Sequence, residues 1–139
     1  MRATVEQAGA GAGAGVTSEL SLAASASELA HAREYARRAS LAFGFDVERC
    51  DDVVCAFNEA VTNAIRHGRP DARGHIHLSV LDDGERLTLA VRDYGTFVVP
   101  AAPRSEGGRG FPLMAALMDT VELCVEPAGT TVRLSKVRA

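Results

Sequence analysis

The sequence predicts an α+β fold, a two-layer sandwich in which a mixed, mostly antiparallel sheet is covered on one face by about three helices. Two observations predict it. Several segments place apolar residues at every second position, as half-buried strands do, and three others repeat apolar residues at helical spacing. Strands that are apolar on one side need a cover, which the amphipathic helices supply. A chain of 139 residues is long enough for one domain with a proper core.

The first 16 residues differ in composition from the rest of the chain. From Ala8 to Gly15 alanine and glycine alternate, and such a tract has nothing to bury. We therefore expect a disordered Ala/Gly-rich leader over residues 1–16, followed by a folded domain over residues 17–139.

The first part of this domain predicts a strand and a helix. Leu20 and Leu22 alternate with small or polar neighbours, which indicates a strand. Ser25 and Glu28 form a capping-box pattern, so a helix is expected to start there and to end at Gly44. The apolar positions of this helix recur at helical spacing: Leu29, Ala32, Ala36, Ala39 and Phe43.

The rest of the domain predicts two helices and four strands. A helix from about residue 46 to about residue 67 precedes a hairpin with strands around 76–80 and 87–91. Residues 94–110 hold two prolines and four glycines without any period, and a loop of this length indicates function. Three elements complete the domain, namely a helix over about 110–120, a strand over 121–125 and a closing strand over 131–137.

The segment Glu59-Ala-Val-Thr-Asn-Ala-Ile-Arg-His-Gly68 on the second helix carries the chemistry. Glu59, Asn63 and His67 are four residues apart, so they share one helix face, and the opposite face is apolar. A carboxamide can complete the coordination of Mg²⁺, and a carboxylate one turn away can orient or deprotonate a nucleophile. These groups are typical of a nucleotide-phosphate site, and an exposed polar helix face is the alternative.

Three later segments favour the nucleotide site. Residues 91–95, Val-Arg-Asp-Tyr-Gly, end a strand with an aspartate and a turn-permitting glycine. Residues 107–111, Gly-Gly-Arg-Gly-Phe, form a glycine-rich loop that runs into a helix, and residues 129–132, Gly-Thr-Thr-Val, open the last strand. A lone glycine-rich loop is a weak sign, because glycines more often serve turns. Four such segments in this order are a strong one.

Together these segments resemble the nucleotide-binding boxes of the histidine-kinase-like ATPase superfamily, which also holds the gyrase and MutL ATPases. The closest branch is the bacterial anti-sigma factors that double as serine-protein kinases, and the resemblance covers roughly residues 17 to 137. It implies the histidine-kinase-like ATPase fold, with ATP and Mg²⁺ as ligands. It also implies an antagonist (anti-anti-sigma) protein and a sigma factor as partners, and a homodimer.

The resemblance assigns the adenine and metal contacts. Asn63 would hold Mg²⁺ against the triphosphate, and Asp93 would accept a hydrogen bond from the exocyclic amine of adenine. Gly95 would let the backbone turn close to the base. Thr130 matches a threonine that supports the adenine side of the site. The alternatives are a turn-capping carboxylate for Asp93 and a threonine that simply suits a strand.

The resemblance assigns binding of the ATP phosphates to the glycine-rich loop. Backbone amides at Gly108, Gly110 and Phe111, at the start of a helix, suit an anion. Arg109 would add a charge-assisted contact, although an exposed arginine in a lid over residues 96–108 is the alternative. Arg66 and His67 are interpreted as helix-end or lid contacts of the nucleotide and not as catalysts, because this chemistry needs no imidazole.

In the resembling kinases the glutamate that matches Glu59 is the base that activates a serine hydroxyl of a partner protein. Relatives that hydrolyse ATP direct the same glutamate at water. The function expected here is an ATP-binding anti-sigma factor that phosphorylates its antagonist. A non-catalytic ATP-sensing module is the second hypothesis. A histidine-kinase core is disfavoured, because the only early histidine, His31, lies in a single short helix.

Composition narrows the function classes further. A net charge of −3 leaves no basic field that would gather nucleic acid. No apolar run reaches the length of a membrane span, and the N-terminus lacks the apolar region of a secretory signal, so a cytoplasmic protein is expected. The three cysteines show no CxxC pairing, which argues against a zinc site or a disulfide framework.

Overall fold

The computed structural model describes residues 3–5, 17–95 and 110–138 of the chain. Within these residues six strands form one sheet in the order β1-β5-β6-β4-β3-β2. The strand bounds are β1 Ala3–Val5, β2 Ser18–Ala23, β3 His75–Asp82, β4 Arg86–Asp93, β5 Thr120–Glu126 and β6 Gly129–Val137. All neighbouring strands are antiparallel except β1 and β5, which are parallel.

Three α-helices pack on one face of the sheet in the described part of the chain. They are α1 Leu29–Phe43, α2 Val47–His67 and α3 Gly110–Leu117. This is the two-layer α+β sandwich with a mixed, mostly antiparallel sheet that the sequence predicts, so the fold class is confirmed. The third helix ends earlier than expected, at Leu117, because β5 already begins at Thr120.

The core lies between the sheet and the helices, because the strands bury every second residue. Along β3 and β4 the inward residues are almost fully buried and their neighbours are partly exposed. The buried sheet residues are Ile76, Leu78, Val80, Leu87, Leu89 and Val91. They meet an apolar side of α2 that is centred on Phe57 and Val61, both 0% exposed. Helix α1 approaches α2 closely through Ala32 and Ala36, which are also fully buried.

Two local expectations need correction. Within the leader expected to be disordered, residues Ala3–Val5 form a strand instead, pairing with Val121 to Leu123 of β5. An edge strand offers unpaired backbone groups that a short extended segment can satisfy, and the alanine–glycine tract gives no sign of this. Residues 6–16 lie outside the described part of the chain.

The predicted capping box is the second expectation to correct. Ser25 caps a 3₁₀ turn and not the α-helix, and Glu28 pairs with His31 and not with the Ser25 amide.

Helix α3 is tied to the rest of the fold at its C-terminal end. The amine of Lys136, the only lysine in the sequence, donates a hydrogen bond of 2.6 Å to the carbonyl of Leu117. It also lies 3.9 Å from a carboxylate oxygen of Asp52 on α2. A cation at a helix C-terminus satisfies an otherwise unpaired carbonyl and suits the helix dipole. Because α3 follows the glycine-rich segment, this contact helps to set where that segment ends.

Candidate functional site

Helix α2 presents the first half of the candidate site. The Asp46 carboxylate accepts a hydrogen bond of 2.9 Å from the Arg49 amide and caps the helix, near the residue where the sequence predicts that this helix begins. Burial of Phe57 and Val61 fixes the rotation of the helix and leaves its polar residues at the margin of the core. Glu59 and Asn63 lie there, partly buried.

Neither the Glu59 nor the Asn63 side chain forms a hydrogen bond with another described residue. Their neighbours are engaged: Asn58 accepts a hydrogen bond from Arg33 on α1, and the Thr62 hydroxyl donates to the Asn58 carbonyl. A partly buried carboxylate and carboxamide, one turn apart, are thus available to a ligand on this side of the helix.

Asp93 at the end of β4 forms the second half. Leu87, Leu89 and Val91 point into the core, and Asp93 is the next residue in this inward series. The alternation of the strand therefore carries a carboxylate to the helix side of the sheet, where it is only 8% exposed. Thr130 of β6 lies directly opposite in the register and is also buried.

Backbone amides hold one oxygen of this carboxylate. Asp93 Oδ1 accepts hydrogen bonds from the amide of Gly95 at 2.8 Å and, more weakly, from the amide of Arg69 at 3.4 Å. The Thr130 hydroxyl donates to the Gly95 carbonyl at 3.3 Å. Oδ2 accepts no hydrogen bond from the residues that the structure describes. Asp93 therefore offers a fixed acceptor oxygen to a donor that enters from the helix side.

Burial raises the pKa of the Asp93 carboxyl above its usual range, because the charged form loses hydration. The amides of Gly95 and Arg69 act in the opposite direction. Among the described residues only two backbone amides donate to this buried carboxylate, and burying a charge with so few donors costs folding free energy. Carboxylates in such surroundings are typical of binding sites.

Gly68, which directly follows the helix predicted to end at about residue 67, is a site residue that sequence reasoning missed. A Cβ built on it would lie 2.4 Å from Asp93 Cγ and 2.6 Å from the Ala64 carbonyl oxygen. Only glycine therefore lets the end of α2 come against this carboxylate. A glycine after a helix is an ordinary stop signal, and the approach depends on tertiary packing that a single sequence does not display.

The other predicted site residues divide into three groups. Arg66 and His67, in the last turn of α2, are exposed. Gly110 is the first residue of α3, and Phe111 is partly buried against the core. Gly108 and Arg109 lie outside the described residues, as does the predicted lid over residues 96–108. The structure thus brings Asp93, Gly95 and Thr130 together in one cluster beside the end of α2.

The donor set fits a magnesium ion bound with phosphates better than a metal cage. Among the residues that the structure describes, no group of three or more His, Cys, Asp or Glu side chains could hold a metal ion. The carboxamide of Asn63 is a hard oxygen donor, and Mg²⁺ commonly takes one or two protein oxygens and completes its shell with water and phosphate.

Comparisons with known proteins identify the family. The model of the histidine kinase-like ATPase domain family matches residues 22–136. Anti-sigma F factors of Bacillus thuringiensis and Bacillus anthracis are each 33% identical to this chain in an alignment of 105 residues that covers 65% of this chain and 70% of the relative. Among the described helices, none is long and apolar enough to cross a membrane.

A solved structure shares the fold. The RsbU and RsbW domains of a Mycobacterium tuberculosis protein superpose with a TM-score of 0.62 at 22% identity, over 88% of this chain. The chain spans only about a third (34%) of that longer protein. At this identity the likeness supports the architecture alone.

The approach of Gly68 to Asp93 yields a stability prediction. We expect Gly68→Ala to lower the free energy of unfolding by about 2 kcal/mol or more, because the added methyl overlaps a buried carboxylate and a helix carbonyl. Urea denaturation measures the loss. Gly74→Ala is the control, since its Cβ meets nothing within 4 Å and only its φ of +85° costs about 1 kcal/mol. Equal stability of Gly68→Ala and the parent would contradict the close approach.

The burial of Asp93 yields a pH prediction. Because its pKa is raised in the folded protein, its contribution to stability is greatest in acid and declines as the pH rises through that pKa. Asp93→Asn removes this decline, so its stability relative to the parent should rise between about pH 3.5 and about pH 7. Urea midpoints across this range measure it.

Asp83→Asn is the matched control, with the opposite expected sign. Hydrogen bonds from the amides of Glu85 and Arg86 lower the pKa of the Asp83 carboxyl. That variant should therefore lose stability relative to its parent as the pH rises. The same trend in both variants would show that Asp93 is not a desolvated carboxylate.

Proposed function

Because the chain belongs to the histidine kinase-like ATPase domain family, we propose that it is an ATP-binding anti-sigma regulatory factor. In this proposal it phosphorylates a serine or threonine of an anti-anti-sigma partner and so controls the release of a sigma factor. The anti-sigma F factors among its relatives support the regulatory class. The observation that carries the proposal is the buried Asp93 carboxylate, whose Oδ2 is available beside the end of α2.

Asp93 recognises adenine. Its Oδ2 accepts a hydrogen bond from the 6-amine of the base. Backbone amides already donate hydrogen bonds to Oδ1, so the carboxylate is preorganised. Guanine presents a carbonyl at that position, which a carboxylate repels, so the same contact selects against GTP. The Thr130 hydroxyl, through the Gly95 carbonyl, keeps the turn after β4 in place beside the base.

Asn63 and the segment before α3 bind the triphosphate. Asn63 would hold Mg²⁺ through its amide oxygen, and the metal would neutralise charge on the phosphate oxygens. Gly110 and Phe111 at the start of α3, and Gly108 and Arg109 before them in the sequence, would supply backbone amides and one cation to the phosphates, with Arg66 and His67 as further contacts. This assignment rests on the motif and on the position of α3.

Glu59 acts as the general base. Its carboxylate takes the proton of the partner's serine hydroxyl while the hydroxyl oxygen bonds to the γ-phosphorus of ATP. The bond from that phosphorus to the β–γ bridging oxygen breaks, and ADP leaves with the electron pair. The Glu59 carboxylate forms no hydrogen bond with another described residue, which supports this role because no described structural contact occupies it.

The partners follow from the same proposal. The protein holds a sigma factor inactive, and phosphorylation inactivates the antagonist that would displace that sigma factor. A homodimer and a cytoplasmic location belong to the proposal as well. The acidic net charge of −3 supports a protein-directed role and not a direct contact with DNA.

The proposal is tested by capture and phosphoryl transfer. The immobilised protein, in ATP and Mg²⁺, is used to capture partners from its host, and the captured small proteins are incubated with γ-labelled ATP. We expect label on a serine or threonine of an antagonist protein, identified by mass spectrometry. Glu59→Gln should retain ATP binding and lose transfer by about 10²- to 10⁴-fold, since only the base is removed.

Glu48→Gln is the matched control for this experiment. It changes an exposed glutamate in the first turn of the same helix and should transfer phosphate like the parent. A parent protein that binds ATP but labels none of its captured partners would reject the kinase, and the non-catalytic ATP-sensing module would replace it.

A further inference from the structure

A polar cluster lies on the face of the sheet opposite the helices, directly behind the adenine acceptor. We name it the outer clamp and define it by four residues, Asp71, His77, Arg92 and Tyr94. His77 and Arg92 are register partners on β3 and β4, in the strand phase opposite to the buried core residues. Asp71 lies in the connection between α2 and β3, and Tyr94 separates Asp93 from Gly95.

Asp71 organises the connection between α2 and β3. Its Oδ1 accepts hydrogen bonds from the amides of Arg73 at 2.8 Å and His75 at 2.9 Å. Its own amide donates to the His75 carbonyl, and its carbonyl accepts from the Gly74 amide. These hydrogen bonds, with that of His77, hold the pKa of the carboxyl at about 2, so it is ionised at neutral pH.

His77 joins this connection to the sheet. One ring nitrogen, Nε2, lies 2.8 Å from Asp71 Oδ2, and the other, Nδ1, lies 2.9 Å from the Ser21 hydroxyl on β2. A hydroxyl can donate or accept, so the ring keeps both contacts whether it is neutral or protonated. The ring edge also packs against Tyr94, with the centroids 5.5 Å apart.

Tyr94 carries the contact to the end of β4. The Arg92 guanidinium lies 5.0 Å from the centre of its ring and pairs with Glu126 at 3.4 Å. The Tyr94 amide donates a hydrogen bond of 2.7 Å to the Arg69 carbonyl. The Arg69 amide in turn donates to Asp93 Oδ1. Arg69 of the connection is therefore hydrogen-bonded through both its amide and its carbonyl to residues at the end of β4, where Asp93 lies.

We propose that Asp71 and His77 are positioning residues that fix the connection between α2 and β3 against Asp93 and so set the adenine acceptor. This inference rests on the proposed function, since it concerns the base that Asp93 binds. Neither residue touches the nucleotide. They act through Gly68 and Arg69. The backbone of Gly68 lies directly against the Asp93 carboxylate, and the Arg69 amide donates a hydrogen bond to it.

The physical reason is the orientation of the carboxylate. With the connection held, the Arg69 amide and the close backbone of Gly68 restrict rotation of the Asp93 side chain and aim Oδ2 at the base. With the connection loosened, the carboxylate can rotate and the hydrogen bond to the 6-amine loses its alignment. The phosphate half of the site is built on α2 and α3, so its contribution to affinity should stay.

The experiment compares two nucleotides by calorimetry in the presence of Mg²⁺. ATP carries the 6-amine, and purine riboside triphosphate lacks it but keeps the phosphates. We expect Asp71→Ala and His77→Phe each to weaken ATP binding about tenfold and to change binding of the analogue by less than about threefold. His77→Phe keeps a ring against Tyr94 and removes only the hydrogen bonds, so it serves even where Asp71→Ala folds poorly.

Asp83→Ala is the matched control, because Asp83 also accepts two backbone amides in a turn that flanks β3, at the far end of that strand. It should bind both nucleotides like the parent. A parallel loss for both nucleotides, or no loss for either, in the two clamp variants would overturn the positioning role. A parent that binds ATP no better than the analogue would instead reject adenine recognition by Asp93 in the proposed function.

Discussion

The burial of one carboxylate at the end of β4 is the constraint on which the site depends. Strand alternation sends Asp93 to the helix side of the sheet, where water is largely excluded and the charge must be met by donors. Within the described residues, backbone amides bind one of its oxygens and leave the other without a donor. Gly68 and Gly95 lie close to the carboxylate, and the Thr130 hydroxyl donates to the Gly95 carbonyl. In the function proposed above, the 6-amine of adenine donates to the second oxygen.

The sheet and the helices have separate tasks in this arrangement. In the proposed site, the sheet fixes the base-recognition half through the register of Asp93 with Thr130. Helix α2 would fix the phosphate half, because burial of Phe57 and Val61 determines which residues of the helix remain at the margin. The two halves meet at the end of α2, where only a glycine fits against the carboxylate. The distance between the two halves therefore depends on backbone packing more than on any flexible side chain.

Sequence patterns predicted the fold class and the bounds of most elements, because alternation and helical spacing are local signals of which side of a segment is buried. They also predicted Asp93, Gly95 and Thr130 as one group, through a motif whose segments are far apart in the chain. The role of Gly68 was not predicted, because it comes from contact with Asp93, a residue 25 positions away. A glycine after a helix is an ordinary stop and needed no further explanation.

Other features were hidden for the same physical reason. His77 and Asp71 looked like ordinary polar positions of a strand and a turn, and only the register of β2, β3 and β4 shows that they form one network. The strand at Ala3–Val5 depends on the free edge of β5, which a tract of alanine and glycine does not reveal. Pairing between distant segments is thus the information that composition and periodicity lack.

A crystal structure of the protein with ATP and Mg²⁺ would show directly which group Asp93 binds. We expect the 6-amine of adenine to lie within hydrogen-bond distance of Asp93 Oδ2, with Oδ1 still bound by the Gly95 amide. Adenine bound elsewhere, or Asp93 turned away from a base that occupies this site, would contradict it.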